Sequence, residues 1–85
     1  MSWRVHVPNR VKRQIKRFPQ NDCGRILKVL REFEADPWQG DIAKTDHGEN
    51  TWRRRVGNYR IIYFVSINLR LIEIKEICRR TSSTY

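Results

Sequence analysis

Trp3-Arg-Val-His-Val7 alternates apolar and polar side chains, the pattern of a half-buried strand. Pro8-Asn9 ends it, and Asn9 is placed to cap a helix. Val11, Ile15 and Phe18 then recur at i, i+4 and i+7, with basic residues on the other faces, until Pro19 stops the helix. A second helix is predicted from about Asn21 or Asp22. Its stripe is Ile26, Leu27, Leu30 and Phe33, with Val29 beside it. Gly24 lowers its propensity by about 1 kcal/mol. Asp36-Pro37 ends it, because a residue before proline avoids the helical region.

Trp38 to Asn50 has no clear period and reads as a loop. Thr51–Val56 and Tyr59–Val65 are strand-like runs around Gly57-Asn58, a hairpin signature. Ser66 to Asn68 offers a second turn, Leu69 to Cys78 a third run, and a polar tail closes the chain. The predicted order is β-α-α-β-β-β over residues 1–85. It is a single α+β domain with a helical hairpin packed on a mostly antiparallel four-stranded sheet.

With 85 residues, the chain is too short for two cores. Its longest apolar run is Ile61 to Val65, which excludes a membrane span and predicts a cytoplasmic chain without a leader. The formal net charge of +9 favours a polyanionic partner. The charge is uneven. Residues 1–31 and 51–85 are strongly basic, and residues 32–50 between them are acidic. Lys12, Arg13, Lys16 and Arg17 on the first helix make either a solvated face or an RNA-docking surface.

Much chemistry is excluded. There is no Walker loop, GxGxxG, HExxH or GxSxG. Cys23 and Cys78 lack CxxC spacing, and with only His6 and His47 beside them they supply no zinc ligand set. No cofactor is expected. Cys78 reads as a small buried hydrophobe. Glu73 and Glu76 lie an odd number of residues apart, so strict alternation puts them on opposite strand faces. Arginine on strands remains. Alternation sets Arg53 and Arg55 on one face, and Arg54 on the other with Trp52 and Val56. Arg60 follows the turn, close to Arg55. Such a face either clamps phosphate, which guanidinium forks match bidentately, or snorkels into water. Tyr59 and Tyr63 share a face, as core or as a base-stacking platform.

Trp52-Arg-Arg-Arg-Val-Gly-Asn-Tyr-Arg-Ile-Ile-Tyr63 resembles the core signature of the RelE/ParE toxin superfamily. The family's elements occur in the same order over nearly the whole chain. The resemblance implies a microbial-RNase-like fold and, on the RelE side, a ribosome-dependent endoribonuclease. Such enzymes cleave mRNA in the A site through attack of a 2′-hydroxyl on the adjacent phosphodiester. It also implies a cognate antitoxin as partner, besides the ribosome and mRNA. A ParE-like member would instead poison DNA gyrase, and an inactive member would only bind its antitoxin.

By the same resemblance, Arg60 is the arginine at the scissile phosphate, and Arg53 and Arg55 are the basic positions of the strand before it. A further basic residue after the last strand falls on Arg79 or Arg80, and a terminal aromatic on Tyr85. His47 stands in a loop where some family nucleases carry a histidine. Arginine cannot give up its proton, so the general base is left between Tyr85, His47 and water.

Overall fold

Pro8 and Pro19 set the boundaries of the helical layer. Each stands in extended conformation immediately before a helix, φ −61° and −52° respectively. The computed structural model describes residues 3–45 and 48–79. Its elements are β1 (Arg4–His6), α1 (Asn9–Lys16), α2 (Gln20–Ala35), β2 (Ile42–Lys44), β3 (Thr51–Val56), β4 (Tyr59–Ser66) and β5 (Leu71–Arg79). Asn9 is thus the first helical residue rather than the cap, and no described side chain caps α1. Proline suits that boundary because it lacks the N–H that a helix start leaves unpaired.

Among the described residues the sheet has five strands, not four, in the order β1-β5-β4-β3-β2. The added strand, β2, lies in the stretch expected to be loop. It pairs antiparallel with β3, Ala43 opposite Arg53. Three residues are too few to show alternation, so the sequence carries no signal for it. β1 runs parallel to β5, and the other pairings are antiparallel.

Both helices cover one face of this sheet. Val11 and Ile15 of α1 and Ile26, Val29, Leu30 and Phe33 of α2 meet Tyr59, Ile61, Tyr63 and Val65 of β4 and Ile72, Ile74 and Ile77 of β5. Fully burying one such aliphatic side chain contributes about 1.5–3 kcal/mol. The α2 stripe uses Val29, and Leu27 lies 41% exposed off its edge. β5 starts at Leu71 rather than Leu69. Ile67 to Arg70 form the turn instead, Arg70 N–H donating to the Ile67 carbonyl, and Leu69 is 71% exposed.

β1 covers β5 only along Leu71–Glu73. Beyond that, α1 closes the β5 edge. The Arg10 guanidinium donates to the Lys75 carbonyl, and the Gln14 amide donates to the Ile77 carbonyl at 2.6 Å. An otherwise open edge is thereby satisfied by helix side chains. At the other end, Trp3, Trp38 and Trp52 meet edge to face. The Tyr63 hydroxyl donates to the Pro37 carbonyl at 2.8 Å, fixing the exit of α2. No described helix is long and apolar enough to cross a membrane.

Candidate functional site

The tight hairpin between β3 and β4 builds the site. Gly57 takes φ +58° in its turn, a conformation costly for other residues. The register that follows sets Arg55 directly opposite Arg60, and Arg53 opposite Ile62. Residues opposite one another share a face. Because Tyr59, Ile61, Tyr63 and Val65 point into the helix-covered core, Arg53, Arg55 and Arg60 project from the uncovered face. Cβ atoms of such an opposed pair are about 4.5–5.5 Å apart. Arg55 is exposed, while Arg53 and Arg60 are half-buried.

Little neutralises this cluster. Asp41 Oδ2 lies 4.0 Å from Arg55 Nε. Among the described residues, no carboxylate comes within ion-pair distance of Arg53 or Arg60. Arg60 Nε is buried without a hydrogen-bond partner among the described residues. Three guanidinium groups held together by strand register, one with an unused buried donor, form a ready site for a bidentate anion such as phosphate.

Arg54 points the other way, as alternation predicts. Its guanidinium lies 3.5 Å from Glu32 and donates to the Gln39 carbonyl at 3.0 Å. Gly40 permits this: a Cβ there would sit 2.4 Å from the Arg54 guanidinium carbon. Arg54 is therefore an anchor for the segment after α2.

Two expectations on β5 are corrected. Glu73 and Glu76 share the arginine face rather than dividing between faces. Glu73 pairs with Phe64 and Glu76 with Ile62, because a β-bulge leaves Lys75 without an opposite number. One inserted residue reverses the alternation beyond it. Cys78 is not buried either. It is exposed and lies opposite Arg60. Partial burial of the thiol and then the Glu76 carboxylate raise its pKa, against the opposing effect of Arg60, so it is not a thiolate nucleophile. The sequence did hold a sign of the bulge: the buried residues run Ile72, Ile74, Ile77, a step of two followed by one of three.

Other candidates fall elsewhere. Arg79 lies opposite Tyr59, and its guanidinium sits 5.8 Å over that ring, on the helix side of the sheet. It does not join Arg53, Arg55 and Arg60. His47, Arg80 and Tyr85 lie outside the described residues. Lys12, Arg13 and Lys16 on α1, and Arg17 at its C-terminal cap, are all exposed, and α1 flanks β5. Tyr59 and Tyr63 are core, not a stacking platform, at 3% and 0% exposure. Burial pushes the Tyr63 phenol up to about 12, so it is no base near neutral pH. Among the described residues, no three His, Cys, Asp or Glu side chains gather as a metal site.

No family model matches the chain. A protein of Methanocaldococcus jannaschii named "Putative toxin RelE1" is 25% identical over 83 residues, covering 94% of this chain and 92% of its own length. The RelE–RelB complex of Pyrococcus horikoshii contains a chain that superposes with a TM-score of 0.84 at 25% identity, covering 98% of this chain and 100% of its own. The isolated RelE toxin of E. coli has a TM-score of 0.80 at 13% identity, covering 98% of this chain and 89% of its own, a likeness of fold. A two-helix layer on a mostly antiparallel sheet is the architecture these proteins share with this one. In sequence and in fold the chain is similar to RelE toxins.

Proposed function

We propose that this protein is the toxin of a toxin–antitoxin pair, a ribosome-dependent endoribonuclease that cuts mRNA in the A site. The observation that carries this reading is the open face where Arg55 and Arg60 stand opposed beside Arg53, with only Asp41, among the described carboxylates, near enough to neutralise any of them. In the proposed reaction Arg60, assisted by Arg55, holds the scissile phosphate, and Arg53 holds its neighbour. Attack by the 2′-hydroxyl crowds negative charge onto the phosphate oxygens. Fixed guanidinium groups stabilise that charge without reorganising at the moment of reaction. Losing one such donor costs about 10²–10³ in rate. The exposed bases of α1 dock on ribosomal RNA. An antitoxin completes the assembly, a reading supported by the likeness to a RelE chain solved with RelB.

A short induction in cells, followed by primer extension on a translated reporter mRNA, tests the proposal. Discrete cuts inside codons, absent with Arg60→Ala, support it. Broken DNA beside intact mRNA would transfer the protein to the gyrase poisons.

A further inference from the structure

Among the described residues, three carboxylates reach the arginine face, and two of them are occupied. Glu73 is held by Lys75 Nζ at 3.0 Å and lies 3.9 Å from His6. Asp41 is drawn to Arg55. Glu76 has no cation within ion-pair distance among the described residues. Cys78, two residues on, stands on the same face, and the Glu76 carboxylate helps to raise its thiol pKa. The bulge at Lys75 puts Glu76 there. It lies opposite Ile62, one step along the same face from the Arg60–Cys78 pair. Diagonal neighbours of this kind are about 7–8 Å apart at Cα, and Arg53 is two strand spacings away, about 10 Å. A phosphodiester held by these long guanidinium side chains lies within reach of the carboxylate.

Building on the proposed nuclease function, we propose that Glu76 is the general base, taking the proton of the 2′-hydroxyl beside the phosphate held by Arg53, Arg55 and Arg60. As the proton passes from O2′ to Glu76, the O2′–P bond forms and the P–O5′ bond breaks. The leaving 5′-oxygen takes a proton from water, and Glu76 later returns its own to solvent. The products are a 2′,3′-cyclic phosphate and a 5′-hydroxyl, with no oxidant or second reactant. A carboxylate suits this work where arginine does not, since it is an acceptor when ionised. The charged and titratable groups around it are Lys75 and Cys78 on β5, Arg60 on β4, Arg53 on β3 and Arg10 of α1, which donates at the bulge.

The test is single-turnover cleavage of mRNA on programmed ribosomes across a range of pH, for the wild type, Glu76→Gln, Glu76→Asp and Arg60→Ala. A positioned base contributes about 10²–10⁴ in rate. Glu76→Gln should therefore be at least about 100-fold slower and lose the acidic limb of the rate profile, while still binding ribosomes. Glu76→Asp should cut at an intermediate rate and keep the limb. Glu76 is exposed, so both variants should melt as the wild type does. If Glu76→Gln cuts within about threefold of wild type, or keeps the limb, while Arg60→Ala is inactive, Glu76 is not the base and the nuclease reading stands. A wild type that leaves mRNA whole overturns both.

Discussion

Arg55 and Arg60 face each other directly across the β3–β4 hairpin. Like charges so placed destabilise a sheet, and no described carboxylate is in ion-pair contact with Arg60. The pair is better explained by what it binds than by what it holds together. Arg60→Ala should therefore abolish toxicity and leave the melting temperature unchanged or higher. Sulfate, as a phosphate mimic, should stabilise the wild type more than Arg60→Ala; a tenfold excess over Kd adds about 1.4 kcal/mol. Equal stabilisation of both proteins by sulfate would remove Arg60 from the anion site.

The second prediction concerns α1. Replacing Lys12, Arg13, Lys16 and Arg17 with Gln should flatten the salt dependence of ribosome binding. Each phosphate that the helix no longer neutralises takes about 0.7–0.9 off the log–log slope. The cleavage step itself should be spared once the complex has formed. An unchanged slope would make these residues a solvated face.

Gln14 and the bulge give a stability prediction. Gln14→Leu leaves the Ile77 carbonyl unpaired at the β5 edge, at a cost of about 1–2 kcal/mol. For a domain of this size each kcal/mol lowers the melting temperature by about 4–8 °C. A calorimetric scan reads the shift directly, and a variant that melts with the wild type would show that the edge needs no such partner.

Tyr63 gives a signed pH dependence. Its phenol is raised from 10.0 to about 12, chiefly by burial. Its contribution to stability is then complete below about pH 10 and is lost as the pH rises through 12, because the unfolded chain ionises first. The two-unit difference corresponds to about 2–3 kcal/mol. Denaturant unfolding should show the wild type losing that much more than Tyr63→Phe as the pH is raised from below 10 to above 12. Parallel pH profiles would contradict this.

What the sequence disclosed follows from side-chain period. The hairpin was legible because Gly57-Asn58 sits between runs long enough to alternate, and alternation alone separates Arg54 from Arg53 and Arg55. Both helices were legible from stripes bounded by prolines. β2 was not, because Ile42–Lys44 becomes a strand only through its pairing with β3. The places of Glu76 and Cys78 were obscured by the Lys75 bulge, which breaks the period on which the reading of β5 relied. Arg79 was separated from Arg60 by pairing register, which no local pattern encodes.

Product analysis tests the central claim most directly. Purified protein is mixed with ribosomes carrying a single end-labelled mRNA, and the ends of the fragments are identified. The account predicts one cut in the A-site codon, leaving a 2′,3′-cyclic phosphate and a 5′-hydroxyl, made by the wild type and lost in Arg60→Ala. Intact mRNA, or a cut that Arg60→Ala makes as fast as the wild type, would contradict it.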